Sequence, residues 1–207
     1  PMAQPEVGPR GWDVSGLTNT KSVGYLSLGG YPSLGEIVAS ETGKLLLAKG
    51  DTIFVDFHDG VNVESGDVFT VFKPSKPLKH PNTRQDMGYV LNFHGKVVVE
   101  KHAGLELNDG KLVQRPQIYQ AKIIESYRSV LVGDLLAPYE PVSSCLQAVP
   151  FNEEVLANIV AVRDSRQMAG ENNVVYIDRG FRHGIRRGNV FQVVKPHLIP
   201  DPDEKRR

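Results

Sequence analysis

The sequence predicts an all-β protein made of two related barrel-like or sandwich-like β units, the second incomplete, preceded by an extended N-terminal arm. Residues 35–74 and 157–196 align without a gap at a constant offset of 122. Their identities fall at Ile37/Ile159, Val38/Val160, Ala39/Ala161, Asp56/Asp178, Gly66/Gly188, Val68/Val190, Phe69/Phe191, Val71/Val193, Lys73/Lys195 and Pro74/Pro196. These are strand and turn positions, so one β unit is used twice. Val and Ile come in short runs between turn residues, with 20 Gly and 14 Pro in 207 residues, a composition of many strands joined by reversals. Sustained helical periodicity is missing, and only 125–131 and 152–158 have room for a short helical turn.

Residues 1–22 combine Pro, Gly and polar residues around the only tryptophan, Trp12, and read as an extended arm or linker in which a lone large aromatic anchors on a partner. A first β domain follows over 23–138, with strands expected at 24–28, 36–40, 52–57, 67–73, 87–93, 96–101, 117–125 and 134–137. Between them, Ser65-Gly66-Asp67 and Val132-Gly133-Asp134 place Gly where the chain reverses and Asp where it accepts backbone N–H groups. Arg187-Gly188-Asn189 is their relative in the second copy. The Pro-rich stretch 73–81 reads as a stiff exposed loop, and 139–152 as a linker. The second, partial unit covers 153–207 and repeats 35–74, with strands at 156–162, 173–178 and 189–195. Three strands with open edges recruit another, so the chain is expected to continue beyond Arg207 or a partner to supply the missing edge, the remaining alternative being a self-contained small sheet.

Composition narrows the function classes. Lys plus Arg and Asp plus Glu both number 24, so the long-range positive field of a nucleic-acid binder is lacking and no such role is expected. No run approaches the ~18 apolar residues of a membrane-spanning helix. Cys145 is alone, and an intrachain disulfide is impossible. Asp56 and His58 share a strand face in a metal-like pattern but lack further ligands, and His94 and His102 lack zinc spacing. Ser143, Ser144 and Cys145 sit in a Pro-flanked linker without the strand-to-helix setting of a hydrolase nucleophile. The run at Gly29 and Gly30 has no phosphate-loop Lys after it. No catalytic residue, cofactor or metal is assigned, and the chain reads as a non-enzyme. One local charge stands out, the basic turn with Arg179, Arg182, Arg186 and Arg187; their forked donors suit carboxylate or phosphate. Together with Trp12 these four arginines are the candidate partner-binding residues.

The segments LLLAKGDTIFVDF, GVNVESGDVFTVFKP, HPNTRQDMGYVLNFHGKVVVEKH and IYQAKIIESYRSVLVGDLLAP resemble the C-terminal region of LysM-containing type IV pilus secretin-associated proteins. More loosely, they resemble the C-terminal domain of a flagellar assembly protein. The resemblance covers about 35–138 and implies a periplasmic scaffold bound to the outer-membrane secretin pore, in multiple copies around a symmetric ring. Peptidoglycan would be held by a LysM module that 1–207 does not contain. The alternative is a cell-wall carbohydrate-binding module, with Tyr25, Tyr31 and Trp12 as sugar platforms.

Overall fold

The computed structural model describes residues 12–13, 20–31, 33–108, 111–114, 117–141, 145–149 and 154–195. Six strands carry the fold: β1 (Gly35–Ser40), β2 (Thr52–Phe57), β3 (Val68–Pro74), β4 (Tyr89–His102), β5 (Ile118–Ser126) and β6 (Leu135–Pro138). Their order is β5-β2-β1-β6-β3-β4, every neighbour is antiparallel, and β5 also pairs with β4. The sheet therefore closes on itself into a barrel, as an all-β chain does to remove its edges.

Alternation fills the barrel. Along β2, Ile53, Val55 and Phe57 point inward; β1 adds Ile37, β3 adds Phe69 and Val71, β4 adds Val97 and Val99, β5 adds Ala121 and Ile123, and β6 adds Leu136. A ring of six strands has room only for such side chains, so its interior is a packed core rather than a channel.

Two expected strands, 87–93 and 96–101, are one. β4 continues through 14 residues because Val71 faces Gly95 while Phe72 faces Phe93, leaving His94 as the extra residue of a bulge. Gly95 is needed there for close approach, since a Cβ would lie 2.3 Å from the Glu125 carbonyl. Beyond the bulge the strand turns outward. Phe72, Leu91 and Ala137, with Tyr89, Phe93 and Leu135, form a second apolar cluster, and Leu26–Ser27 pairs against Val90 and Tyr89.

The second copy of the repeat builds β7 (Ile159–Val162) and β8 (Val175–Ile177). In the first copy Ile37 faces Val55, Ala39 faces Phe54 and Ser40 faces Ile53, with a bulge between Ile37 and Ala39. In the second, Ile159 faces Ile177, Ala161 faces Tyr176 and Val162 faces Val175, with a bulge between Ile159 and Ala161. Each pair moves by the same 122 positions, bulge included. The hydrogen bond from Glu41 N–H to the Thr52 carbonyl recurs from Arg163 to Val174, both 3.0 Å. This hairpin seats Val160 and Tyr176 against Val90, Leu26, Leu78 and Met87 on the outer sheet.

Other differences from expectation have local causes. The strand expected at 189–195 does not form, since the neighbours that make β3 a strand, β4 and β6, have no counterparts beside it among the described residues. The linker holds Cys145–Leu146, which pairs with Trp12–Asp13 of the arm. Short pairings of Leu46–Leu47 with Val130–Leu131, and the hairpin Leu105–Asn108 with Lys111–Gln114, were too brief to register as periodic runs. The helical turn given room at 125–131 is occupied by the end of β5 and by Val130–Leu131, and 154–158 is not helical.

Candidate interaction surface

Among the described residues one turn device recurs five times, and it positions the candidate residues. In 48–51, 64–67, 131–134, 170–173 and 186–189 the fourth residue donates its N–H to the carbonyl of the first. Its side-chain oxygen accepts the N–H of the first in return, at distances from 2.6 to 3.2 Å. The third residue has positive φ: Gly50, Gly66, Gly133, Asn172 and Gly188, a conformation cheap for Gly and tolerable for Asn. Asp or Asn at the fourth place completes the ring of bonds. At Asp51 the Ala48 N–H, helped by Lys44, holds the carboxyl below its ordinary value despite an opposing desolvation effect.

The basic loop hangs between the end of β8 and the last of these turns. Its root is Asp178, whose carboxylate accepts the Asn158 N–H at 2.8 Å, the Asn158 side-chain amide at 2.9 Å and His80 Nε2 at 3.3 Å. His80 Nδ1 accepts N–H groups from Asn82 and Thr83, which leaves the ring hydrogen on Nε2 to donate to Asp178. Burial pushes the Asp178 carboxyl up, but the Asn158 and His80 bonds and the Arg179 charge outweigh it and hold the group below its usual value. The exposed Pro-rich loop expected at 73–81 is instead a hairpin that delivers a buried histidine: Leu78 and His80 exchange backbone bonds with 84–88.

Past Asp178 the chain makes a short 3-10 turn, Phe181–His183, and reverses at Gly184. Arg186 folds back, donating to the Phe181 and Ile185 carbonyls at 2.9 and 3.0 Å, with its guanidinium 5.6 Å from the Phe181 ring. Arg179 leans on Asp178 at 3.8 Å. Arg182 and Arg187 are exposed and make no hydrogen bond or ion pair among the described residues. All four predicted arginines thus lie on one loop around Phe181, which is 67% exposed. Trp12 contributes a backbone pairing to Leu146; its indole lies outside what the structure describes. Just past that short strand Val149 donates its N–H to the Gly188 carbonyl at 3.0 Å, and its own carbonyl accepts from the Asn189 side chain at 3.1 Å. A shallow groove of about 310 Å³ opens between 146–148 and 188–191. The structure therefore links the arm to the loop through the expected linker, a connection that sequence could not show.

Two buried acid–base pairs were also invisible. Besides His80–Asp178, His94 Nδ1 lies 2.7 Å from Asp134 Oδ2, which also accepts the Leu131 N–H at 2.9 Å. Asp134 belongs to the recurrent turn device; only its position against the β4 bulge buries it. The pair ties the 131–134 turn to the bulge of β4. Ser143 and Ser144 lie outside the described residues, and of Cys145 only the backbone is described. Asp56 is half-buried while His58 and Asp59 are exposed, Asp59 accepting from Gln117 at 2.6 Å. No group of three potential metal ligands gathers among the described residues, and none of the described helices is long and apolar enough to cross a membrane. Tyr25 and Tyr31 pack edge-on against Phe93, Phe72 and Tyr89.

Compared with protein-family models, with curated proteins and with solved structures, the chain finds no match.

Proposed function

We propose that this chain is a non-enzymatic periplasmic scaffold that associates with an outer-membrane secretin pore of a type IV pilus machine and helps to anchor or stabilise it. One observation carries the reading: β3 of the first copy is buried in a closed barrel, whereas its counterpart at 190–195 in the second copy is rich in valine and exposed. Val71 is fully buried, whereas its counterpart Val193 is 76% exposed. A polypeptide that repeats a strand without covering it is suited to binding another chain, and main-chain pairing supplies affinity with little side-chain specificity. The packed barrel interior offers no chamber for a substrate. Repetition around a ring would let a weak contact per copy suffice through avidity. Peptidoglycan attachment, in this reading, belongs to a LysM module outside residues 1–207.

The test is co-purification of the tagged chain with the secretin from the envelope of a piliated bacterium. The secretin is expected in the eluate, at lower yield when residues 1–22 are removed. Its absence from the intact-chain eluate would refute the proposal. The alternative carbohydrate-binding reading predicts retention on purified peptidoglycan, which the scaffold reading does not expect of this chain. Tyr25 and Tyr31, two of the sugar-platform candidates of that alternative, are 46% and 39% exposed and stand at steep angles to Phe93, Phe72 and Tyr89.

A further inference from the structure

We propose that the loop 179–187 is a peripheral membrane contact, in which Phe181 seats at the headgroup boundary of an anionic phospholipid bilayer while Arg182 and Arg187 bind lipid phosphates. The inference goes beyond the scaffold reading and does not depend on it.

Charge sets the class of partner. From Arg179 to Pro200 the sequence holds Arg179, Arg182, Arg186, Arg187 and Lys195 and no carboxylate, in a chain whose charges otherwise balance. Arg182 and Arg187 are exposed and spend no donor on a hydrogen bond or ion pair among the described residues. Arg179 reaches Asp178 only at 3.8 Å. Arg186 is committed inward, to the Phe181 and Ile185 carbonyls. Exposed forked donors without a neighbouring acid suit a phosphate or a carboxylate.

The apolar side chains decide between those two. Phe181 is 67% exposed among the arginines, and Leu156, 78% exposed, is two residues from the Asn158 that holds the root of the loop. Such a surface matches one that is anionic outside and apolar a few ångströms further in. An acidic peptide would pair with the arginines but leave both apolar groups in water, and a second copy of the loop would repel the first.

The loop is also prepared for docking. The Phe181 carbonyl accepts the Gly184 N–H at 3.2 Å and the Arg186 guanidinium at 2.9 Å. Gly180 donates its N–H to His183 Nδ1 at 3.2 Å, and its carbonyl accepts the His183 N–H at 2.8 Å. Hydrogen bonding met inside the loop lowers the cost of moving the ring out of water. Both ends are clamped as well: Asp178 accepts from Asn158 and His80, and the Asn189 side chain accepts the Arg186 N–H at 2.6 Å and donates to the Val149 carbonyl at 3.1 Å. A loop already held in place loses little freedom on binding.

The probes are vesicles of phosphatidylcholine alone, vesicles of phosphatidylcholine mixed equally with phosphatidylglycerol, and beads carrying polyglutamate. The purified 207-residue chain is expected to float with the anionic vesicles and not with the neutral ones, less so as salt rises. Joint Arg182→Glu and Arg187→Glu substitution should weaken vesicle binding at least tenfold, since each arginine near an anionic surface is worth about fivefold. Phe181→Ser should weaken it about fivefold or more, and Lys49→Glu, a charge reversal on the exposed 48–51 turn of the barrel, by less than about twofold. A second measurement needs no loss of binding: Phe181→Trp in a Trp12→Phe background should shift its emission to the blue on anionic vesicles and be quenched by brominated lipid. Failure to float with anionic vesicles, equal flotation with neutral ones, indifference to the arginine reversals, or an emission that neither shifts nor quenches would overturn the proposal. So would retention on polyglutamate without vesicle binding, which would make the partner an acidic polypeptide. Secretin co-purification and vesicle flotation fail independently, so loss of either sinks only its own reading.

Discussion

The two copies of the repeat share a register, a bulge and two turns, yet one is the heart of a barrel and the other lies on its outside. Ile37, Val55 and Val71 are fully buried in the first copy, while Ile159 and Val193 of the second are exposed. The comparison teaches that the local plan of a β unit, its turns and pairing offsets, is written in the repeated residues themselves. Burial is not. It comes from β4, β5 and β6, which the first copy has around it and the second copy lacks among the described residues.

Substitution at paired positions would break this contrast most directly. Val71→Asp places a carboxylate in a closed apolar core and is expected to cost about 4 kcal/mol or more, whereas Val193→Asp should stay within about 0.5 kcal/mol. Urea unfolding of both variants measures the difference, and similar midpoints would show that the copies are energetically alike. Next in size is the recurrent turn. Asp134→Ala strips His94 of its buried partner and should cost about 3 kcal/mol, against about 1 kcal/mol for Asp67→Ala at the exposed turn. Equal losses would mean that the His94 contact contributes nothing beyond the shared geometry.

The glycines sharpen the comparison further. Gly66→Ala meets no atom within 4 Å and should cost about 1 kcal/mol from positive φ alone. Gly188→Ala would also drive a Cβ to 2.1 Å from the Gln147 carbonyl, so it should loosen 145–149 as well, seen as faster amide exchange at Val149. The smallest effect concerns pH. The folded Asp178 carboxyl titrates below its unfolded value. Its stabilisation is therefore complete above about pH 4 and is lost as the pH falls through the folded value. Amide exchange at Tyr176 should accelerate on acidification before that of Val55 does, and Asp178→Asn should abolish the difference in pH response.

Much of the fold was legible because β signals are local. Alternation at 52–57 predicts β2 to the residue, and the Gly-Asp pairs mark reversals whose bonds the structure contains. Ring closure was not legible, since nothing in the β5 sequence says that it pairs with β2 on one side and β4 on the other. Nor was the continuity of β4, because Gly95 reads as a turn until Glu125 is seen pressing against it. The His80–Asp178 and His94–Asp134 pairs join residues far apart in the chain, and no spacing rule reaches across such distances. At the candidate surface the arginine cluster is contiguous and was read directly. Its link to Trp12 runs through Cys145–Leu146, a two-residue strand with too little pattern to detect.

The double pairing of β5 also governs how the molecule assembles. Ile53 waits for Ala121, Ala121 must meet Val99 as well, and β6 must bridge β1 and β3, so the ring cannot seal until the chain through Pro138 is present. Such distant closure makes for slow folding, with apolar strands held open meanwhile. The hairpin of the later copy depends only on close neighbours in the chain and can form quickly, but the platform on which Val160 and Tyr176 rest exists only once the earlier strands are in place. Maturation is thus ordered, with the later hairpin seated last, on a body already sealed.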